Sequence, residues 1–411
     1  MTIDRRDFLK SVGSASLAGS MLATGAATTA LADSSANGIF GFADDSVPMN
    51  AANLCPMPNS VTEAVQRYSA DLDRDLSGAN RKRIEALKED ARGRIAALLG
   101  VDADEVAITR NTSEANNTVV QGFPLRTDDE VLLWDQNHPS NSVAWEVAAD
   151  RSGASVRRLS VPTDAGSVDQ VVGMFVDAIR PKTRVVSFTH ISNITGFRLP
   201  AREICAAVKR KGDIHVHIDG AQTWGIADVD LRDIGCDTFS GSAHKWFMGP
   251  RETGLLYVSE ASIERIWPNI VSVPWGDEMQ TSLVGARKFE AFGQRDDAAL
   301  AALGQAASFH EALTPAGIER TANRIAGELR EGLSELGVPF VSPRSPQFNS
   351  NIIILSASAE NASLMVNRVF EDSGVIGARS NGFRMSPHIY NTGEHVDRVV
   401  AAVARSRSLL G

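Results

Sequence analysis

Residues 214–225 read IHVHIDGAQTWG, and their alternation decides how the whole chain is read. Ile214, Val216 and Ile218 alternate with His215, His217 and Asp219, so an extended backbone sends the three polar groups to one face. Two imidazoles beside a carboxylate are the donor set of a zinc or iron site. Alternatively, Asp219 alone is functional, at the strand's carboxyl end, where it meets the charged nitrogen of an organic ligand.

On both sides of this stretch, strands and helical segments alternate. "EVAIT" (105–109) precedes "SEANNTVVQGF", "EVLLW" (130–134) precedes "NSVAWEVAADRSG", and "RVVSFTH" (184–190) precedes "AREICAAVKRKG". Such spacing predicts crossover connections and an α/β fold, with a mostly parallel sheet flanked by helices. "RKRIEALKEDARGRIAALLG" (81–100) has helical spacing and stops at Gly100. From Asp297 the pattern changes, and two long helical stretches lead to the strand "NIIILSA" (351–357). A large domain is therefore expected over 49–296 after a linker at 33–48, with a smaller C-terminal α+β domain over 297–411.

The chain has 411 residues, 43% hydrophobic and 22% charged, as an ordinary globular protein does. Its net charge is −9 and no Lys/Arg-rich run stands out, so nucleic acid is not an expected partner. At the N-terminus, Arg5 and Arg6 precede an Ala/Gly/Ser/Thr-rich stretch ending "TTALA". This has the n-region, h-region and A-x-A signal of an export peptide, and it resembles a twin-arginine signal cleaved after Ala32. Residues 1–32 are therefore set apart from the fold, with the twin-arginine export machinery as the implied partner. No later apolar run approaches the roughly 18 residues that a membrane span needs. Cys55, Cys205 and Cys236 are few and scattered, which is not a disulfide framework.

In an open parallel sheet, ligands bind at the carboxyl ends of the strands, so the residues just after each strand carry the chemistry. After "EVAIT" come Thr112 and Ser113 at a helix start, suited to a phosphate or carboxylate, though Thr112 is equally a plain helix cap. After "EVLLW" comes His138, which is also readable as an ordinary loop histidine. "RVVSFTH" is followed by Asn193, and "IHVHI" by Asp219 and Gln222. "DTFSG" (237–241) leads to Ser242, His244 and Lys245, with Gly249-Pro250 just beyond. A lysine on a crowded strand end can lose its proton and attack an aldehyde. With Asp219 one strand away, the pair can hold pyridoxal 5'-phosphate, Lys245 as Schiff base and Asp219 against the ring nitrogen.

The run "HIDGAQ…SGSAHKWFMGP…GLLY" resembles the lysine-site signature of the class V aminotransferases, pyridoxal phosphate enzymes of fold type I. Matching pieces follow in family order: "MNAANLCPMPNSV" (49–61), "TRNTSEANN", "NHPSN", "HISNITG", "FEAFGQRD" (289–296) and "FRMSPHIYNT" (383–392). "NHPSN" and "FEAFGQRD" look like those of isopenicillin N epimerase-like proteins. The resemblance implies that Lys245 is the Schiff-base lysine and moves the α-proton, and that Asp219 binds the ring nitrogen. It places Gln222 and Asn193 at the ring oxygen and His138 over the ring. Thr112, Ser113, Ser242 and His244 would hold the phosphate, and Arg384 the substrate carboxylate. It further implies a homodimer acting at the α-carbon of an amino acid or peptide-borne amino-acyl group. An aminotransferase-like reaction is expected first, with epimerase or lyase as the alternative. The export signal adds a likeness to periplasmic enzymes that tailor a side-chain glutamate on peptide siderophores.

Three departures stand out. Gln294 replaces a threonine that in many relatives reaches the partner subunit's phosphate. Thr238 stands where an apolar residue is usual. The stretch "GVIGARSNGFR" (374–384) lacks the cysteine of cysteine desulfurases, which speaks against that activity, and its Arg379 is a further candidate for substrate contact. Against the metal reading, His215 and His217 precede the strand end, and Gly220 stands where a further histidine would complete such a run. No metal is therefore expected, and the two histidines are read as satisfied core residues, His217 supporting the site from behind. The rivals from other classes are a metal-dependent hydrolase and an exported binding protein without catalysis.

Overall fold

The alternation of apolar and polar residues becomes a sheet with two buried faces. In the computed structural model, which describes residues 38–272 and 283–411, a two-residue strand β1 (Val47–Pro48) comes first. It is followed by β2 (Val106–Thr109), β3 (Glu130–Trp134), β4 (Ser155–Leu159), β5 (Thr183–Thr189), β6 (His215–Asp219), β7 (Thr238–Ser242) and β8 (Gly254–Val258). Strands β2 to β8 form one sheet in the order β2-β8-β7-β6-β5-β3-β4. Within it β8 alone runs against its neighbours. Parallel neighbours need crossovers, here supplied by helices that include Thr112–Gly122, Pro139–Ser152, Val168–Ala178 and Ala201–Lys209.

Period two assigns the faces. Leu132 and Trp134 pack into one apolar cluster while Val131 and Leu133 pack into the other. On β6, Val216 and Ile218 join the first cluster, so His215, His217 and Asp219 face the helix Thr112–Gly122. Local chemistry fixes where the helices begin. Asn111 caps Thr112–Gly122 by accepting from Glu114 N at 3.0 Å. His138 caps the next helix, with Pro139 in its first turn.

After the helices Asp297–Leu313 and Pro315–Glu335 come β9 (Ile353–Leu355), β10 (Val375–Ile376), β11 (Ala378–Arg379) and β12 (Phe383–Met385). Strands β11, β12 and β9 form an antiparallel sheet, backed by the helices Ala359–Ser373 and Gly393–Arg405. This is the smaller C-terminal α+β part. Two details differ from the sequence reading. The helix Asp297–Leu313 buries Leu300, Leu303 and Ala307 in the large cluster beside Ala91 and Ile95, and the second core takes helical residues from Ile325 onward. Within the expected linker, β1 pairs in parallel with β10, because Val47 and its neighbour Met49 are apolar and fully buried in that second core. The expected signal peptide lies outside the described residues. Among the described residues no helix is long and apolar enough to cross a membrane.

Candidate active site

Strands β2, β3, β5, β6 and β7 run the same way, so the residues at their carboxyl ends meet at one edge of the sheet. There they enclose a cavity of about 220 Å³. Thr112, Ser113, His138, Asn193, Asp219, Gln222, Ser242, His244 and Lys245 all line it. A larger hollow, about 660 Å³, opens at the opposite edge, but ion pairs such as Arg265–Asp213 and Arg184–Asp129 line it. Parallel sheets place ligands at the carboxyl edge, and the convergent groups are in the smaller cavity.

At one end of the cavity lies a helix start. Ser242 Oγ accepts from Thr112 N at 2.8 Å and sits 2.7 Å from Thr112 Oγ1. Ser113 is exposed one residue further on. Hydroxyls and N–H groups at a helix N-terminus suit a phosphate. The approach of β8 makes this corner compact: a Cβ on Gly254 would lie 2.5 Å from Gly241 O and 2.9 Å from Asn111 Cα. His244 is pushed down to about 4 by burial, then by Lys245 and Arg251. It therefore faces the corner as a neutral imidazole.

Lys245 comes next, in the turn after β7. Burial lowers its pKa, Asp219 opposes that shift and Arg384 adds to it. Asp219 ends β6 and is held at both oxygens. Oδ1 accepts from Ala221 N at 3.0 Å and Oδ2 from Asn116 Nδ2 at 2.9 Å. Gln222 is oriented by Trp246, whose Nε1 only donates and therefore meets Oε1, at 2.7 Å. Its Nε2 donates to Ala52 O at 3.0 Å, leaving one amide hydrogen for the cavity. His138 accepts at Nδ1 from Ser140 N at 3.2 Å, and its outer side stays exposed. Partial enclosure lowers its pKa, with Asp219 opposing and Lys245 and Arg384 assisting.

Arg384 does not line the cavity itself but reaches it from β12. Nη1 donates to Asn193 O at 3.3 Å and Nη2 to Asn50 Oδ1 at 3.2 Å, while the buried Nε has no partner. Its pKa falls to about 10 through burial, so it stays charged at neutral pH. Arg379 is exposed on β11, 3.5 Å from Ser363 Oγ, and is not part of the cavity wall. Gln294 is exposed and donates to Asp297 Oδ2 at 3.1 Å and to Arg295 O at 3.0 Å.

The histidine pair lies within β6, behind the strand end that faces the cavity. His215 and His217 are fully buried, burial pushes them down to about 4 and about 3, and both meet the Thr238 hydroxyl. Among the described residues no group of three His, Cys, Asp or Glu side chains is placed to hold an ion. The unusual Thr238 thus has a structural reason, since an apolar residue there would strand two imidazole nitrogens. Sequence reasoning missed Asn111, Ser140, Thr189 and Ala221 in the cavity wall, and Asn116 behind it, which bridges His217 and Asp219. The one sequence signal for Asn116 was its position a helical turn after Thr112, over the polar face of β6.

The Aminotransferase class-V family model matches residues 50–399. The chain belongs to the class V aminotransferase family. This class V chain is 30% identical over 377 residues to the isopenicillin N epimerase of Amycolatopsis lactamdurans, covering 86% of this chain and 94% of that one. It is 27% identical over 374 residues to the Streptomyces clavuligerus enzyme of the same name, with 87% and 94% covered. A probable cysteine desulfurase of Vibrio cholerae serotype O1 is 26% identical over 392 residues, with 89% and 94% covered. Among solved structures, the cystine C-S lyase C-DES in complex with cysteine persulfide has the same fold, with a TM-score of 0.80 at 23% identity, covering 88% of this chain and 98% of that one. All three cysteines are buried, and burial raises each pKa, that of Cys55 to about 12. None lines the cavity.

Proposed function

We propose that this class V chain is a pyridoxal 5'-phosphate enzyme that moves the α-proton of an amino acid or amino-acyl group, with inversion of the isopenicillin N epimerase type as the best-supported outcome. The observation that carries the reading is Lys245 and Asp219 facing one cavity, with a helix N-terminus and two hydroxyls at its end. The residues fit that cofactor by their own chemistry. Thr112, Ser113, Ser242 and His244 would hold the phosphate, Asp219 the ring nitrogen, and Gln222 and Asn193 the ring oxygen, while His138 would cover one face. When bound, the cofactor draws electrons from the substrate's α-carbon. Lys245 would anchor it through Nζ and, once released by the substrate's amine, would take the α-proton at that atom, while inversion requires a proton delivered to the opposite face of the α-carbon by an acid other than Lys245. The lowered pKa of Lys245 favours the neutral amine that a base requires. Arg384 offers a guanidinium whose Nε–H has no partner and whose Nη1 and Nη2 each donate only one bond, suited to a carboxylate.

Epimerisation is favoured over carbon–sulfur cleavage through a persulfide because no thiol reaches the site. Transamination, the reaction the sequence suggested first, begins with the same proton transfer. Incubating the holoenzyme with amino acids in D2O separates them: α-deuterium uptake with a retained amine and mixed chirality supports the epimerase. An oxo-acid product would favour the aminotransferase, and neither product from any amino acid would defeat both. Export of this enzyme to the periplasm by Arg5 and Arg6 accords with a peptide-borne substrate such as a siderophore side chain. A mature N-terminus at Asp33 in the periplasmic fraction is the expected result. The homodimer that the family resemblance implies is tested by sedimentation of the holoenzyme.

A further inference from the structure

The polar face of β6 carries a hydrogen-bonded series that ends on Asp219. His215 Nε2 lies 3.1 Å from Thr238 Oγ1, and His217 Nδ1 lies 2.8 Å from the same hydroxyl. His217 Nε2 lies 3.0 Å from Asn116 Oδ1, and Asn116 Nδ2 donates to Asp219 Oδ2 at 2.9 Å. Ser240 Oγ also donates to Asn116 Oδ1, at 2.6 Å. The direction of each bond is set from the Asp219 end. A carboxylate accepts, so the amide turns its NH2 to Asp219 and its oxygen to His217. That oxygen also accepts, so His217 carries its proton on Nε2 and accepts at Nδ1. The Thr238 hydroxyl then gives its hydrogen to His217 and receives one from His215 Nε2. Every bond in the series points toward Asp219.

His215, His217, Thr238, Ser240 and Asn116 are fully buried and Asp219 is 1% exposed, so water does not compete for any of these bonds. In such surroundings aligned hydrogen bonds polarise one another, and the last one gains most from the alignment. Asn116 breaks any proton path, because an amide does not relay protons as imidazole does. The series therefore orients and does not conduct. With Ala221 N on one oxygen and Asn116 on the other, the Asp219 carboxylate cannot rotate.

We propose that Asn116 and His217, ordered by Thr238, are positioning residues that fix the Asp219 carboxylate and aim it at the cofactor's ring nitrogen. The inference rests on the pyridoxal phosphate reading and assigns it a support built from residues outside the cavity wall.

The test compares two cofactors on the full chain. Pyridoxal 5'-phosphate and its 1-deaza analogue, in which carbon replaces the ring nitrogen, are titrated into the apo wild type, Asn116→Ala, Thr238→Val and Thr238→Ser, with visible absorbance as the readout. Asn116→Ala should weaken pyridoxal phosphate about tenfold, the scale of one charge-assisted hydrogen bond, and the deaza analogue less than about twofold. Thr238→Val should show the same selectivity at about threefold, and Thr238→Ser should restore the wild-type value. Equal weakening of both cofactors, or no weakening, overturns the proposal. Should Asn116→Ala fail to fold, the two Thr238 variants decide by the same criterion. A wild-type chain that takes up neither cofactor defeats the functional reading instead, a result distinct from the failure of the positioning role.

Discussion

In the proposed reaction Lys245 and Arg384 serve one substrate through opposite requirements, one losing charge and the other keeping it. Lys245 works as a base only when neutral, and burial lowers its pKa while Asp219 opposes the shift. Turnover should therefore fall as pH drops through the Lys245 pKa and level off above it. Lys245→Ala should lower turnover about a thousandfold or more, within the range for losing a positioned proton-transfer group. Borohydride reduction and peptide mapping should find the cofactor on Lys245 in the wild type and nowhere in the variant; label on another side chain would contradict the assignment. Arg384→Ala should cost about ten- to a hundredfold in kcat/KM, since a hydrogen bond to a charged group contributes roughly 1.5–3 kcal/mol. Substrates with an amide in place of the carboxylate should lose far less, and an equal loss for both would remove Arg384 from the carboxylate. At this scale the cavity lining was legible where residues stand at a strand's carboxyl end or in the turn just beyond it, as Asp219, Lys245 and His138 do. Asn116 was not, because its partners depend on which face of the helix meets β6. Thr238 read only as a departure from a signature, since the two imidazoles that need its hydroxyl become its neighbours only when β6 and β7 pair.

Elements that alternate with period two or 3.6 were legible because a sheet buried on both faces demands that pattern. The assignment of Asp297–Leu313 was not, because an apolar helix reads the same whichever core it enters. Here it packs along the helix Gly78–Leu98, with Leu300, Leu303 and Ala307 in the same cluster as Ala91 and Ile95. The edge strand β2 shows a second feature hidden from local pattern. Its outward backbone groups are taken by side chains from distant segments: Arg92 Nη1 donates to Val106 O at 2.7 Å, and Glu290 Oε2 accepts from Ile108 N at 2.6 Å. Arg92 and Glu290 also form a two-pronged pair at 2.6 and 2.9 Å, with Arg92 fully buried. The arrangement closes an edge that would otherwise pair with another chain. Removing one partner leaves a buried charge short of its counter-ion, so Glu290→Gln should lower stability by about 3–5 kcal/mol in urea unfolding. A loss under about 1 kcal/mol, the scale of an exposed pair, would show that Glu89 and solvent satisfy Arg92 without it.

Acid sensitivity belongs to the whole molecule, because its titrating groups come from segments far apart in the chain, from His190 to His388. His190, His217 and His310 are pushed down to about 3, and His215 and His388 to about 4, in each case chiefly by burial. In the unfolded chain each would titrate near 6.5. Between those values the unfolded chain binds more protons than the folded one, so stability rises with pH across the window. It is present in full above about pH 6.5 and is lost as pH falls toward 4, by on the order of 1.4 kcal/mol per group per pH unit. Carboxylates with lowered pKa, such as Glu89 at about 2, push the same way but only below their unfolded value near 4.5. The onset therefore tells the two apart. Melting at fixed cofactor concentration should give a temperature that is flat from pH 8 to 7 and falls steeply from 6.5 to 5, before any carboxylate titrates. A curve that stays flat to pH 5 would mean that the enclosed imidazoles take up protons without unfolding the chain, and that the polar face of β6 is more open to water than its burial indicates.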